Sequence, residues 1–303
     1  MAVNTKTIKR RIKSIGNTKK ITKAMEMISA VKMRRAVASV LATRNYANLA
    51  WEMLTEIAEK TNIRHHPLLV KREVKKIGMI LITSNRGLAG GFSSRLLQEA
   101  HQYIEKTGLK VDPEVDIILS GRHGKKIFHR FGHTVIAEFE KVDLTTRIEE
   151  ILPIAELAVR EYTAGKYDKI VIAYTDFVSA LRQIPRVKQI LPLTKADQFL
   201  GKTKEEENEI SKIKNPFGYG FKFEPNPAQV LKQLLPRLIE MQIYQAILES
   251  DASEHSARMV AMRSASDSAQ EMIKELNYSF NKARQAAITQ EISEIVGGAA
   301  ALG

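Results

Sequence analysis

From Leu248 to Ala287, positions suited to a helix contact recur alternately four and three residues apart: Leu248, Ala252, His255, Met259, Met262, Ser266, Ala269, Ile273, Leu276, Phe280, Ala283 and Ala287. That alternation is the a/d period of a coiled-coil seam. Near the N-terminus Ile8, Ile12 and Ile15, then Ile21, Met25 and Ile28, repeat it in two shorter stretches. Gly and Pro agree with the pattern. Neither occurs from Arg237 to Val296, and Met1 to His66 holds no Pro and only Gly16. Both ends therefore predict long helices, the C-terminal run alone reaching about 90 Å at 1.5 Å per residue. Helices of that length need a partner, and the two ends are expected to pair as an antiparallel coiled coil. Ser266, His255 and several alanines bury little surface for a seam. Spacing alone thus leaves open surface helices whose small residues merely permit close approach.

The middle of the chain has another period. Short β-rich runs fall at 77–83, 115–120, 134–137, 169–175 and 187–193, most of them bounded by turn residues. Helical patterns lie between them at 93–106, 124–131 and 146–162. Strands alternating with helices predict a Rossmann-like α/β domain with a mainly parallel sheet covered on both faces. The following stretch, 201–227, with KTKEEENE, NPFGYGF, Pro225 and Pro227, reads as an irregular, flexible connection. Pro236 fits either the first turn of the last helix or a kink. The expected organisation is an N-terminal coiled-coil helix (1–66), a central α/β domain (67–227) and a C-terminal coiled-coil helix (228–303).

Composition narrows the chemistry. The chain has 303 residues, 44% of them hydrophobic, which is ample for a core. It has no cysteine, which excludes disulfides, thiolate metal sites and cysteine nucleophiles. No apolar stretch reaches the roughly 18 to 20 residues of a membrane span, and the first residues lack the apolar core of a signal peptide. The protein is expected to be soluble or held at a membrane through partners.

Charge is the strongest compositional signal. The net charge is +13, and residues 1–35 carry eleven basic side chains against one acid, Glu26. A solvated helix face ordinarily mixes signs to gain i,i+4 pairs, so this helix is expected to lie against negative charge. Basic helices also bind nucleic acid; against that, residues 1–45 offer no aromatic ring for base stacking.

Two loops resemble phosphate sites by position. Ser84–Phe92 follows the first strand and opens a helix, but it lacks G-x-x-x-x-G-K-[ST], and Gly87, Gly90 and Gly91 do not have the G-x-G-x-x-G spacing. Gly121–Lys126 follows the second strand and admits either an anion at a helix N-terminus or a simple turn. Structural turns are the expectation for both. His65, His66, His129 and His133 show no metal-ligand spacing.

Three segments carry a family likeness: Asn17–Ile28 running on to Met33, the loop Ser84–Phe92, and Lys282–Ala299, which follows the pattern [IV]-T-x-E-x-x-[DE]-x-x-x-G-A. Across nearly its whole length the chain resembles the gamma-subunit family of F-type ATP synthases, of the bacterial kind. The resemblance implies a non-catalytic rotor shaft, its paired helices inserted in a ring of alpha and beta subunits, its α/β domain facing the epsilon subunit and the membrane c-ring. ATP would bind in those partners, so no cofactor and no nucleic acid is expected here. The location implied is the cytoplasmic face of a bacterial membrane, peripherally bound. The resemblance further implies alpha- and beta-subunit contacts at Lys20, Lys23, Met25, Arg284, Gln285, Thr289 and Glu291, and a c-ring or epsilon-facing foot at Phe223 and Glu224.

Overall fold

The computed structural model describes residues 5–60, 66–108, 114–125, 134–145, 147–193, 224 and 226–302. They form β1 (Lys76–Ile82), β2 (Glu114–Ser120), β3 (Thr134–Phe139), β4 (Lys169–Phe177) and β5 (Gln183–Leu191), with α1 (Thr5–Lys60), α2 (Phe92–Gly108), α3 (Leu152–Thr163) and α4 (Pro227–Leu302). The chain divides into two compact units, one of residues 30–257 and one of residues 1–29 with 258–303.

In the first unit residues 77–82 of β1 and 170–174 of β4 read as unbroken apolar runs because both faces of the sheet are covered. Strand order is β3-β2-β1-β4-β5. The first four strands are parallel, and β5 returns antiparallel beside β4. The predicted mainly parallel sheet is therefore present, and its last strand starts at Gln183 rather than Val187 because it forms a hairpin with β4. Alternation along β1 sorts its side chains between two cores. Ile77, Met79 and Leu81 meet Leu96, Leu97 and Ala100 of α2. Ile80 and Ile82 belong to the opposite core, with Ile154, Ala155 and Ala158 of α3 and Leu235, Ile239, Ile243 and Ile247 of α4.

The predicted helix at 146–162 begins only at Leu152, after a 3-10 turn at Ile148–Glu150, with Pro153 in its first turn where no amide is needed. At the expected helix 124–131 a 3-10 turn spans Arg122–Gly124, and 126–133 lies outside the described residues, as does nearly all of the connection 201–227. Helix α4 starts where Asn226 Oδ1 accepts the Gln229 N–H at 2.9 Å, an N-cap. Pro236 is accordingly inside the helix, not at its start.

In the second unit the α4 seam has the expected period. Met262, Ser266 and Ala269 are buried, and from Glu271 onward only Ile273, Leu276, Phe280 and Ala283 escape full exposure. Lys19 of α1 donates to Gln270 Oε1 across the pair. Shielding on α4 stops after Ala283, about as far beyond Gln270 as Thr5 lies before Lys19, which is what antiparallel helices require. Ala287 is thus exposed and leaves the seam. The α1 half corrects the sequence reading: after Ile8, Ile12 and Ile15 the shielded positions are Lys19, Thr22, Met25 with Glu26, and Ser29. Ile21 and Ile28, placed in the seam by their side chains, are exposed. The four–three register continues without a break, so polar residues inherit the seam.

Candidate functional site

In a doubly wound sheet the ligand crevice lies beyond the carboxyl ends of the strands where the order reverses, here between β1 and β4. This crevice is filled by the protein's own α4. Ser250 Oγ accepts the Thr175 N–H at 3.0 Å, and Ser253 Oγ donates to Thr175 O at 3.1 Å, so the end of β4 is bonded to the helix. From the other side Ala89 and Phe92 close on Ala257.

Both phosphate-like loops have structural duties at this edge. Ser84 and Ser93 share a hydrogen bond of 2.8 Å, the Asn85 amide donates to Lys141 O, and Arg122 N–H donates to Asn85 Oδ1 at 3.3 Å. Gly121 has φ +95°, and a Cβ there would lie 2.3 Å from Thr83 O. Glycine at this turn is thus dictated by the close approach of the β1 end. Among the described residues no cluster of His, Asp or Glu is arranged to hold a metal ion.

Basic residues just before and at the start of β1 also have structural partners. Arg72 donates to Tyr162 O at 3.0 Å and lies 4.8 Å over the Tyr162 ring. Lys76 pairs with Glu114 at 3.0 Å and Asp116 at 3.4 Å, and Glu114 with Asp116 raises its pKa against the smaller opposing effect of desolvation.

The residues singled out from sequence fall in three places. On α1, Lys20 is exposed, Lys23 is exposed and paired with Glu26 at 2.9 Å, and Met25 is half-buried. On α4, Arg284, Gln285, Thr289 and Glu291 are all exposed, and the Thr289 hydroxyl donates back to Gln285 O at 2.9 Å. These two sets are not brought together: Arg284 lies about 21 Å further along the axis than Gln270, the partner of Lys19. Glu224 is exposed, and Phe223 lies outside the described residues.

Sequence reasoning passed over two features. The first is an uncovered aliphatic stripe at Ile288, Ile292, Ile295 and Val296, with Ile295 72% exposed. Its i, i+4, i+7, i+8 spacing is a legible helix face. The second is a buried charge cluster: Lys141 Nζ lies 2.7 Å from both Asp251 Oδ1 and Glu254 Oε2. Burial would lower the Lys141 pKa, but the two carboxylates outweigh it and raise it. No spacing links residue 141 to residue 251, so only the fold could reveal it.

A doubly wound sheet whose ligand crevice is plugged by its own helix, and whose long helices carry bare apolar faces, defines an interaction protein built on a helical shaft. A family model described as ATP synthase matches residues 4–302. The chain belongs to the ATP synthase gamma chain family: it is 42% identical over 298 residues to the gamma chain of Chloroflexus aurantiacus, covering 97% of each. It is 39% identical over 299 residues to that of Legionella pneumophila, covering 98% of this chain and 99% of that one. The fold is similar to a chain of the Euglena gracilis mitochondrial ATP synthase, with a TM-score of 0.64, 16% identity, and 98% of this chain and 94% of that chain covered. A chain of the central stalk and c-ring structure from Tetrahymena thermophila gives a TM-score of 0.59 at 23% identity, covering 81% of this chain and 99% of that chain. Among the described residues no helix is long and apolar enough to cross a membrane.

Proposed function

We propose that the chain is the central-stalk rotor of a proton-translocating ATP synthase, turning with the c-ring and driving the catalytic beta subunits through their conformational cycle. The observation that carries this reading, beside family membership, is the end of α4: residues 284–299 are exposed on every face, yet Ile288, Ile292, Ile295 and Val296 form an apolar stripe. Bare aliphatic stripes of this kind mark protein contacts, and a single helix end is the right shape to enter a sleeve of alpha and beta subunits. On α1, Ile21 and Ile28 beside Lys20 and Lys23 offer a second contact face, apolar and basic together. Arg284, Gln285, Thr289 and Glu291 then flank the tip stripe, and Glu224 with Phe223 forms the foot toward epsilon and the c-ring.

The shaft itself transforms no substrate. Coupling requires that each catalytic site meet a different face of it, since only differential interaction energy can bias otherwise equivalent sites. A peripheral position on the cytoplasmic side of the membrane follows from the c-ring contact. Mixing the purified chain with alpha and beta subunits tests the reading: a complex that hydrolyses ATP and rotates is expected. Failure to assemble, or hydrolysis indifferent to the chain, overturns it.

A further inference from the structure

We infer that residues 141–145 form a clasp that fixes the angular position of both long helices against the sheet, with Lys141, Asp251 and Glu254 as positioning residues for torque. This inference rests on the rotor reading above.

The span leaves the end of β3 and touches three other elements within five residues. Lys141 is buried to 3% exposure between Asp251 and Glu254 of α4. Thr145 N–H donates to Asp251 Oδ2 at 2.8 Å. His255 Nε2 lies 2.8 Å from Asp143 O, and the Asp143 carboxylate pairs with Lys32 of α1. The Lys141 carbonyl accepts from Asn85 in the loop after β1. Just before the span, Glu140 pairs with Arg122 at 2.8 Å. One short segment is therefore bonded to α1, to α4 and to the loops that end β1 and β2, all within residues 30–257.

Stability alone does not account for such a cluster. Burying a lysine and two carboxylates costs desolvation, and replacing buried ion pairs by apolar groups of similar volume is commonly neutral or stabilising. What apolar contact lacks is direction. Apolar packing resists rotation only through the fit of its surfaces, whereas hydrogen-bonded charges are satisfied in one orientation. The cluster sits where orientation matters most to a shaft: from Gln242 to Ala257 every residue of α4 is buried, so this is where the sheet grips the helix that continues as the shaft.

The test uses the full chain assembled with alpha and beta subunits, reading the torsional stiffness between a bead on the α/β domain and catalytic sites locked by nucleotide. Wild type must first hydrolyse ATP and rotate; if it does not, the rotor reading falls and the clasp with it. Given a rotating wild type, the volume-matched triple change Lys141→Met, Asp251→Leu and Glu254→Met is expected to assemble and hydrolyse ATP at the unloaded wild-type rate. Its stiffness and its ATP-driven proton pumping, once joined to the membrane sector, are expected to fall severalfold. Lys141→Arg, which keeps both ion pairs, is expected to retain them. Wild-type stiffness in the triple variant overturns the inference while leaving the rotor reading intact. If the triple variant does not assemble, the pair Lys32→Met with Asp143→Leu decides alone: a softer shaft supports the clasp, and unchanged stiffness overturns it.

Discussion

Two stretches of α4 invert the usual rule of burial. Residues 242–257 are buried on every face although Gln242, Gln245, Glu249, Ser250, Asp251, Ser253, Glu254, His255 and Ser256 lie among them. Residues 284–299 are exposed on every face although three isoleucines and a valine lie among them. The helix is continuous through both, so hydropathy did not decide which part the protein encloses. Position did: the first stretch passes the carboxyl ends of the strands, where backbone groups of Thr175, Ala180, Asp143 and Thr145, with the Lys141 side chain, supply partners for Ser250, Asp251, Ser253, Glu254, His255 and Ser256. The second stretch outruns its helical partner, and its apolar face is the one proposed above to meet the alpha and beta subunits.

The sharpest way to break this comparison is to remove Lys141. Lys141→Ala leaves Asp251 and Glu254 buried without their shared cation, and loss of one partner of a buried ion cluster costs about 3–5 kcal/mol. Denaturant unfolding of the free chain measures it, and a loss below about 1 kcal/mol would show that polar burial here is incidental. The sign of its pH dependence is fixed as well. A lysine whose pKa is raised by folding contributes stability that is fully present below its unfolded value near 10.4 and is lost as pH rises through the folded value.

The tip should respond in the opposite way. Ile292→Ser with Ile295→Ser is expected to leave the free chain's unfolding within about 0.5 kcal/mol of wild type, since no folded contact is lost. Each isoleucine buried in a sleeve is worth about 1.5–3 kcal/mol, so affinity for the alpha–beta ring should fall by at least tenfold, read by titrating labelled chain into assembled subunits. Destabilisation of the free chain, or undiminished affinity, would refute the assignment of the stripe to a partner.

The Asp143–Lys32 pair supplies an intermediate case, because it bridges the clasp to α1 from the surface. Partial burial works to raise the Asp143 pKa, but the Lys32 hydrogen bond and charge, with His255 and Arg86 nearby, hold it below the ordinary range. A depressed carboxylate contributes stability present above the unfolded value near 3.9 and lost as pH falls through the folded one. Asp143→Asn should therefore cost under about 1 kcal/mol at pH 7, less at high salt, and nothing once pH is low enough to protonate the native carboxylate. A cost that persisted in acid would point to shape, not charge.

Much of this architecture was legible beforehand. Gly and Pro punctuation located the long helices, β-rich runs bounded by turn residues located the strands, and the α4 spacing located its seam from Met262 to Ala283, whereas Leu248, Ala252 and His255 lie where every face is buried. The loops at Ser84 and Gly121 were expected to be turns, and each is bonded to a neighbouring strand end or loop. What stayed hidden depended on residues distant in sequence: Lys141 and Asp251 meet only because β3 and α4 pass the same edge of the sheet. The interface residues chosen on α4 were polar because the family motif is polar, and the aliphatic stripe between them went unremarked. On α1 the error was one of chemistry over register, since isoleucines at 21 and 28 looked like seam residues while the unbroken spacing from Ile8 leads to Lys19, Thr22 and Ser29.

That correction yields the smallest expected effect and the cleanest check of it. Ile21 is 61% exposed on α1, while its neighbour Thr22 is buried and donates its hydroxyl to Lys19 O at 3.0 Å. If the seam follows register, Ile21→Ser in the free chain changes stability by no more than about 0.5 kcal/mol. If the seam instead follows hydrophobicity, the same change removes a buried isoleucine and costs several times more, in the range of about 2–5 kcal/mol for large core truncations. Thermal unfolding of the single variant separates the two. A null result in the free chain with weakened assembly would place Ile21 with the α4 tip, as apolar surface kept bare for a partner, and would extend the inversion seen along α4 to its companion helix.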